Sequence, residues 1–494
     1  MAAEKNSKFE KVTFDIDKNN NFSEWFTEII KRAELADLRY NVKGFLVFQP
    51  WSVIVMEKMY SLLEVNLQKK GHNPYWYPVV IPEKNFLVEK DHVEGFAPEV
   101  FWVTEHGAGE KLEEKLALRP TSETAFYQMF AWWIRSYNDL PLKTYQRGAV
   151  YRYETKATRP FLRSREFHWI EAHNAFATHE EALQQVKEDM QITQEFMGEQ
   201  LGIPTIFFQR PQWDKFPGAL NTFAADSLMP DGKTIQQPSS HDLGQNFSKA
   251  FKVLFTDKDG KEKHPFITCY GPAISRIFAS LIAIHGDNNG LRFPFEVAPK
   301  QIVIVPIAVQ KEKKLIPFVK KLALELQEAG YRVELDLSDR KPGDKFYFWE
   351  MKGVPLRIEV GPKELQQKKL TLFRRDTKKK EVIAQKELLK WIPKTGKALS
   401  ENLKKQASHL FDGAIKNADS FEELARLVNT RGFVKCNFCA DGKEGEECAE
   451  KVEKELAADI RGKRADKKES PFGSQKCVVC GKPSKEVFYI AKQY

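Results

Sequence analysis

The stretch Tyr151–Asn174 reads YRYETKATRPFLRSREFHWIEAHN, and the interpretation of the whole chain starts from it. Its flanks, 147–153 and 165–177, predict two strands joined by a polar loop at 156–163. On a strand, Arg152 and Glu154 lie two residues apart and point to the same face. The surrounding residues are aromatic, which favours a lined site over a solvated surface hairpin. A guanidinium group fixed in such a site can bind a phosphate.

The rest of the chain divides by the rhythm of its predicted elements. The 494 residues suggest two to four domains. Upstream and downstream of the opening stretch, the sequence predicts an amphipathic helix at 51–70, a strand at 75–81 and a long helix at 180–201. Segment 301–393 alternates strands with helices, which predicts a small α/β domain with a parallel or mixed sheet. Segment 394–427 is predicted to be helical.

Composition limits the class of protein. The chain is 42% hydrophobic and 29% charged, carries a net charge of +9 and has a pI near 8.9. It contains no run of about 18 apolar residues, and its first residues lack the patterns of signal and transit peptides. We therefore expect a cytoplasmic protein that does not span a membrane. The basic excess fits either an RNA partner or a Lys-rich surface.

The cysteines are concentrated near one end of the sequence. Five of the six lie at or after residue 436, and Cys269 stands apart. In a reducing compartment this clustering favours a metal over disulfides. Cys477-Val-Val-Cys480 forms one C-x2-C pair, and spacing alone would add Cys436 with Cys439. Four thiolates would make a closed, structural zinc site.

The opening stretch resembles motif 2 of class II aminoacyl-tRNA synthetases, and FLRSREFHWIEAH is similar to the corresponding run of prolyl-tRNA synthetases. The resemblance implies that Arg152 binds the α-phosphate of ATP and the carboxylate of the amino acid. It implies that Glu154 accepts from the adenine amino group and that Arg163 and Ser164 lie at the ATP. A planar, permanently charged guanidinium suits the charge that develops on the α-phosphate.

Other stretches match the same family in order along the chain. KGFLVFQPWSVIVMEKM is similar to motif 1, which forms a homodimer interface in the family. GPAISRIFASLIAIHGDNNGLRFP resembles motif 3 and implies that Arg276 lies against the ATP γ-phosphate on a helix over 274–284. RPTSETAFY supplies the amino-group-binding Thr121 and Glu123, although the same residues also suit a helix N-terminus. TIQQPSSHDLGQNFSKAF is the element most diagnostic for proline.

The resemblance implies the following sets of site residues. The proline site comprises Thr121, Glu123, Arg152, Trp169, Glu171, His173, Phe216, His241 and Ser275. The ATP site, with Mg²⁺, comprises Arg152, Glu154, Arg163, Ser164, Gln236, Ser239 and Arg276. Catalysis is assigned to Arg152 and Arg276. The chain has Ser239 where the family commonly has Thr, and Gln237-Pro238 where it commonly has Gly-Gly.

Two further sites come from the resemblance. KPGDKFYFWEMKGVPLRIEVGPKEL is similar to an anticodon-binding domain and offers Lys345, Glu350 and Lys363 as contacts to tRNA(Pro). The family's wider first pair favours Cys439, Cys448, Cys477 and Cys480 as zinc ligands, which leaves Cys436 as a spare. Tyr494 is expected to reach towards the active site.

The sequence thus predicts an α+β protein with an antiparallel catalytic sheet. The expected domains are a class II catalytic domain at 1–297, an α/β anticodon-binding domain at 298–395, a helical connector at 396–430 and a small α+β zinc-binding domain at 431–494. The expected activity is ATP-dependent attachment of L-proline to tRNA(Pro) in two steps, without an editing insertion. The alternatives are another class IIa synthetase, such as a threonyl enzyme, and a synthetase-like RNA-binding protein that does not charge tRNA.

Overall fold

The computed structural model describes residues 15–88, 99–155, 157–430 and 432–494. Residues 1–14, on which the expectation about targeting rests, lie outside the described residues. So do Lys156, the first residue of the predicted polar loop, and Arg431, the first residue of the predicted C-terminal domain. The described residues of 15–37, 48–55 and 281–406 form one compact unit, and those of 38–47, 56–280 and 407–494 form the other.

The helices and strands follow one another irregularly in the first part of the chain. Up to residue 285 they are α1 Phe22–Arg32, β1 Ala36–Asp37, β2 Val47–Phe48, α2 Pro50–Lys69, β3 Asn73–Pro74, β4 Val80–Pro82, α3 Glu83–Phe86, β5 Phe101–His106, β6 Glu110–Leu118, α4 Glu123–Trp133, β7 Leu142–Tyr151, β8 Glu166–Phe176, α5 His179–Thr193, β9 Ile206–Gln209, β10 Asn221–Leu228, β11 Thr234–Gly244, α6 Asn246–Ala250, β12 Phe255–Thr256, β13 Glu262–Lys263, β14 Phe266–Gly271 and α7 Ile274–His285.

The remaining elements alternate more regularly. They are β15 Ile302–Pro306, α8 Leu315–Glu328, β16 Val333–Leu335, α9 Pro342–Met351, β17 Leu356–Val360, α10 Pro362–Gln367, β18 Lys369–Arg374, β19 Lys380–Ala384, α11 Leu388–Gly413, β20 Ile415–Ala418, α12 Phe421–Val428, β21 Phe433–Phe438, α13 Lys443–Leu456, β22 Asp459–Arg464 and β23 Glu486–Ala491.

The large sheet that carries the site contains eleven described strands in the order β20-β21-β23-β22-β9-β10-β11-β14-β8-β7-β3. Neighbours from β21 to β7 pair antiparallel, as the expected catalytic sheet requires. The C-terminal strands join it where β22 pairs with β9. One hydrogen-bonded ladder therefore connects the motif-bearing strands to the cysteine-bearing segment.

The other unit contains a five-stranded sheet in the order β16-β15-β17-β18-β19. β15 pairs in parallel with β16 and β17, whereas β18 and β19 pair antiparallel. The β15 and β17 strands are buried throughout, and apolar residues of α8 and α11 pack on them. The predicted mixed α/β arrangement of 301–393 is confirmed.

Two predicted elements are wrong. The predicted strand at 75–81 is limited to Val80 and Ile81 of β4, because Pro78 has no amide hydrogen and Tyr77 N donates to the side-chain oxygen of Gln146 (3.0 Å). The helical segment 394–427 contains the strand β20, which pairs in parallel with β21 once α11 has ended at Gly413.

Candidate active site

Strand β8 supplies one wall of a cavity of about 210 Å³. Trp169, Glu171 and His173 alternate along this strand, so their side chains share one face. The neighbouring strand β7 ends at Tyr151, which makes the predicted strand end at residue 153 wrong. Arg152 and Glu154 follow β7 in a tight turn, in which Glu154 N donates to Arg152 O at 2.7 Å. They reach the site from this turn and not from a strand face.

The residues that line the cavity lie on β8, β10, β11 and β14, at the start of α4, and in the segments that follow β7 and β9. Its lining consists of Thr121, Glu123, Arg152, Trp169, Glu171, His173, Arg210, Asp214, Lys215, Phe216, Thr222, Gln236, Ser239, His241, Cys269, Tyr270 and Gly271. Of the nine residues assigned to proline, eight line this cavity. Ser275 lines the next one.

Glu171 is the most heavily hydrogen-bonded acid in the cavity wall. Its Oε1 accepts from Ser122 Oγ at 2.5 Å and from Gln146 Nε2 at 2.7 Å, and its Oε2 lies 3.2 Å from His173 Nε2. Burial would raise the pKa of Glu171, but His173 and Ser122 outweigh it and hold this pKa below its usual value. Glu171 is therefore an ionised, fully engaged residue that fixes the wall.

The Thr121–Glu123 pair stands at the N-terminus of α4. Thr121 Oγ1 donates to Glu123 Oε2, and both side chains are buried and line the cavity. Ser122 occupies the N-cap position but makes no side-chain capping bond, since its hydroxyl donates to Glu171. Thr121 and Glu123 therefore line the cavity, and the Ser122 hydroxyl bonds to the cavity wall and does not cap the helix.

His241 forms the opposite side of the same cavity. Its Nδ1 lies 3.0 Å from Thr222 Oγ1, its Nε2 lies 3.0 Å from Ser239 Oγ, and its ring packs 4.5 Å from that of Phe216. Burial lowers the pKa of His241 to about 3. The imidazole is therefore neutral at physiological pH, and it offers the cavity a ring held by two hydroxyl groups.

A second cavity of about 130 Å³ is lined by Glu99, Arg152, Glu154, Phe161, Leu162, Arg163, Ser164, Phe167, Ala273, Ser275 and Arg276. Arg152 lines both cavities. Its Nε donates to Pro120 O at 3.0 Å, and its guanidinium carbon lies 5.3 Å from the centroid of the Phe167 ring. Burial lowers the pKa of Arg152, although nearby glutamates oppose this shift.

Three guanidinium groups converge on the second cavity. Arg276 donates to Leu162 O and to Gln236 O, each at 3.3 Å, and Arg163 pairs with Glu154 at 3.5 Å. Burial and the positive charges of Arg152 and Arg163 lower the pKa of Arg276 to about 10. Like charges held together in this way favour a bound polyanion such as a triphosphate.

Three parts of the chain match known protein families. Residues 101–285 match the tRNA synthetase class II core domain (G, H, P, S and T), residues 301–395 match an anticodon binding domain, and residues 421–494 match the C-terminal domain of prolyl-tRNA synthetase. The proline–tRNA ligase of Thermofilum pendens is 50% identical over 97% of this chain and 98% of its own length. The chain belongs to the prolyl-tRNA synthetase family.

Other members of the family agree over nearly the full length. The proline–tRNA ligase of Pyrococcus horikoshii is 42% identical over 96% of this chain and 98% of its own. The structure of Giardia lamblia prolyl-tRNA synthetase in complex with prolyl-adenylate superposes with a TM-score of 0.93 and 37% identity, covering 96% of this chain and 99% of that one. The Cryptosporidium parvum enzyme, complexed with halofuginone and AMPPNP, gives 0.92 and 33%, covering 98% and 99%.

Several residues that line the first cavity of this family member were not predicted from the sequence. Arg210 and Thr222 are buried, and Asp214 and Tyr270 also line the first cavity. None of them belongs to a short motif. Thr222 and Tyr270 lie on β10 and β14, the two strands next to β11, and this position was their only signal, whereas Arg210 and Asp214 lie in the loop after β9. Gln236 and Ser239, assigned to ATP, line the first cavity, where Gln236 O also accepts from Arg276.

Cys269 belongs to a group of possible metal ligands that the sequence did not indicate. Ligand atoms of Glu123, His173 and Cys269 lie within 4.8 Å of one another. Both ring nitrogens of His173 already have partners, Tyr127 Oη at 2.9 Å and Glu171 Oε2 at 3.2 Å. A metal at this position would have to displace one of them.

Four cysteines lie together in the C-terminal segment. The sulfur atoms of Cys439, Cys448, Cys477 and Cys480 lie within 4.8 Å of one another, and those of Cys439 and Cys448 are 3.7 Å apart. Tetrahedral zinc with Zn–S bonds of about 2.3 Å places its sulfur ligands about 3.8 Å apart, so this set fits zinc. Cys436 is buried on β21 and is not part of the group.

The three anticodon candidates differ in their surroundings. Lys345 is buried, and its Nζ donates to Asp336 O at 2.9 Å. Glu350 accepts from Arg357 Nη1 at 2.9 Å. Lys363 is exposed at the start of α10. Lys363 is therefore the candidate that the described surface presents most directly to a nucleic acid.

Tyr494 lies beside the second cavity. Its Oη donates to Asp231 Oδ2 at 2.6 Å, and its main-chain oxygen accepts from Arg163 Nη2 at 2.8 Å. The ring lies 5.4 Å from the guanidinium carbon of Arg159. Tyr494 therefore contacts Arg163, one of the three arginines that line the second cavity.

The described helices include none with the length and apolar character needed to cross a membrane.

Proposed function

We propose that this chain attaches L-proline to tRNA(Pro) at the expense of ATP, first forming prolyl-adenylate and then transferring the prolyl group to the 3′ end of the tRNA. The observation that carries the proposal is the meeting of two cavities at Arg152. One cavity is lined by carboxylates and aromatic rings, and the other by three guanidinium groups. Membership of the prolyl-tRNA synthetase family supports the same reaction.

The first cavity suits proline by its size and its polarity. Glu123 and Thr121 accept the two N–H donors of the secondary ammonium. Trp169 and Phe216 provide apolar walls for the pyrrolidine ring. The neutral His241 closes the pocket without adding a charge that would repel the ammonium.

The second cavity suits the triphosphate of ATP. In the first step the proline carboxylate attacks the α-phosphorus, the bond to the bridging oxygen breaks, and pyrophosphate leaves. Arg152, which lines both cavities, binds the attacking carboxylate and the α-phosphate, so it holds the two reactants in one geometry. Arg276 and Arg163 bind the phosphates that leave, and Glu154 accepts from the adenine amino group.

Several parts of the proposal concern groups beyond the two cavities. Mg²⁺ bound with ATP would neutralise phosphate charge, and the resemblance assigns Gln236 to the ATP and its Mg²⁺ and Ser239 to the nucleotide. Zn²⁺ at the four cysteines has a structural role because four thiolates leave no open position. Of the three anticodon candidates, the exposed Lys363 contacts the tRNA in this proposal, because Lys345 is buried and Glu350 is paired with Arg357. A homodimer forms through the α2 region, and the protein works in the cytoplasm.

Proline-dependent exchange of pyrophosphate into ATP tests the proposal. An Arg152→Lys enzyme keeps the charge but loses the planar fork, so we expect exchange to fall by about 10²-fold or more. Arg426→Lys, on the exposed face of α12, is the matched control and should exchange normally. Threonine-dependent exchange by the unaltered protein, or no exchange at all, would favour one of the alternatives. Normal exchange by Arg152→Lys would refute the mechanism.

A further inference from the structure

Arg210, Asp226 and Arg461 form a buried ionic cluster next to the first cavity. Asp226 Oδ1 accepts from Arg210 Nη2 at 2.7 Å, and Asp226 Oδ2 accepts from Arg461 Nε at 2.7 Å. Arg210 Nη1 also donates to Arg461 O at 2.7 Å. All three side chains are at least 97% buried. The two arginines are therefore held by one carboxylate and by the backbone of β22.

The cluster lies where the C-terminal strands join the rest of the sheet. Arg461 belongs to β22, which pairs with β9, and Arg210 directly follows β9. Asp226 lies on β10 and is the cross-strand partner of Gln236 on β11. Arg461 Nη1 also donates to Gln493 Oε1 at 2.5 Å. Arg461 of β22 and Arg210, which follows β9, thus meet at the carboxylate of Asp226 on β10.

Further carboxylates surround the cluster. Burial alone would raise the pKa of Asp226, but the two guanidinium groups outweigh it and lower this pKa. Asp214, which lines the first cavity, attracts both arginines, and Asp459 on β22 attracts Arg461. Burying charged groups costs free energy that their attraction only partly offsets, so stability alone explains the buried cluster poorly. The arrangement is better explained if Arg461 keeps Arg210 in place for a ligand.

Arg210 connects this cluster to the reactants. It lines the first cavity, and its Nη2 donates to Gln236 Oε1 at 3.3 Å. Because the amide oxygen of Gln236 is engaged in this way, the side chain offers its two N–H donors to the cavity. The main-chain oxygen of Gln236 accepts from Arg276, which lines the second cavity. Gln236 is thus held from both sides by arginines.

We propose that Arg461 is a positioning residue for adenylate formation: through Asp226 it fixes Arg210, and through Arg210 it turns the amide donors of Gln236 towards the anionic reactants. This inference rests on the proposed function. It means that β22, a strand of the cysteine-bearing segment, completes the active site without touching a substrate.

The kinetic constants of Arg461→Gln in proline-dependent exchange test the inference. The variant leaves Asp226 with one guanidinium, so Arg210 and Gln236 lose their fixed positions. We expect kcat/KM for ATP to fall by about ten- to a hundred-fold. Arg464→Gln, which removes the same charge from the same strand but pairs with Asp466, is the matched control and should lie within about two-fold of the unaltered enzyme.

Coupling to Gln236 separates positioning from a loss of stability. In a Gln236→Ala background, Arg461→Gln should lower kcat/KM by less than about two-fold, because the residue through which it acts is gone. If Arg461→Gln does not fold, Arg461→Lys and Gln493→Leu serve the same comparison, and each should give a smaller loss that Gln236→Ala also abolishes. Equal losses in both backgrounds, or no loss in active protein, would overturn the inference. An unaltered enzyme that does not exchange would instead refute the proposed function.

Discussion

At the scale of single residues, the fold selects different charge states for buried side chains around the cavities. Burial lowers the pKa of His241 to about 3, and it raises the pKa of Asp189 to about 7. Asp189 lies on α5, where its two carboxyl oxygens accept from Gln185 Nε2 at 2.7 Å and from Ser240 Oγ at 2.6 Å. Ser240 lies on β11 between Ser239 and His241, and both of these residues line the first cavity. Asp189 therefore contacts the strand that carries two residues of the cavity wall.

Asp189 should make stability depend on pH. Its pKa is raised from 3.8 to about 7, so the folded state holds a proton that the unfolded state releases. The resulting stabilisation is fully present below about pH 4 and is lost as the pH rises towards about 7. We expect Asp189→Asn to flatten this decline, because the neutral amide can accept from Gln185 Nε2 through its oxygen and donate to Ser240 Oγ through its nitrogen. Urea denaturation midpoints measured from about pH 3 to about pH 8, which includes both pKa values, check this prediction. Parallel curves for the two proteins would contradict it.

Residues of the site differ in how far the sequence could predict them. Thr121, Glu123 and Arg152 stand in short motifs, where the neighbouring letters indicate the chemistry. Arg210 and Arg461 could not be predicted, because their common partner Asp226 is 16 residues from one and 235 residues from the other. Pairing over such separations is set by how the strands assemble.

At the scale of elements, the junction between β22 and β9 depends on one glycine. Gly462 has a φ of +109°, and a Cβ at this position would lie 2.1 Å from Gln209 O. The pairing of β22 with β23 shifts register at this residue, which indicates a bulge. Both the backbone conformation and the close approach of β9 therefore require a residue without a side chain.

Gly462→Ala should weaken this junction. We expect it to lower the free energy of unfolding by about 3 kcal/mol, since it combines an unfavourable φ with a clash against backbone. Gly260→Ala is the matched control, because Gly260 has a φ of +75° but no atom within 4 Å of the added Cβ. It should cost only about 1 kcal/mol. Urea denaturation compares the two, and equal costs would show that the contact with Gln209 does not matter.

The elements also show where sequence patterns succeed. Helix α7 over 274–285 and strand β8 over 166–176 match their predicted ranges closely, whereas β7 over 142–151 matches the predicted strand at 147–153 only in part. The segment at 75–81 was mistaken for a strand because its aromatic side chains are typical of one. Tyr75 and Tyr77 pack instead against α4, with Tyr77 and Phe126 centroids 4.0 Å apart, whereas Trp76 is exposed. The aromatic pattern thus reflected side-chain packing against a helix and not backbone pairing.

At the scale of the whole molecule, the cysteine cluster and the large sheet belong to one unit. Cys439 follows β21, Cys448 lies on α13, and Cys477 and Cys480 precede β23. The sulfur cluster thus holds together the loops between the C-terminal strands of the eleven-stranded sheet. Spacing alone favoured Cys436 and the resemblance favoured Cys448, and the structure places Cys448, not Cys436, beside the other three sulfur atoms.

Zinc content and thermal stability test the role of this cluster. We expect the purified protein to carry about one zinc per chain and to lose it in Cys448→Ala but not in Cys436→Ala. Both residues are buried, so the two changes remove similar side chains. A chelator should lower the thermal midpoint of the unaltered protein and of Cys436→Ala, with little further effect on Cys448→Ala. Zinc retained by Cys448→Ala would exclude this residue as a ligand.

The junction of β22 with β9 has a further consequence for shortened forms of the chain. The described pairing involves Lys463 with Gln209 and Arg464 with Phe208, and Ala465 N donates to Phe207 O at 2.9 Å. A fragment that stops before β22 leaves the amide and carbonyl groups of β9 without these partners. An open, apolar edge such as Ile206–Gln209 is a template for pairing with another copy. Fragments prepared for ligand screening would therefore self-associate through an edge that β22 covers in the full chain.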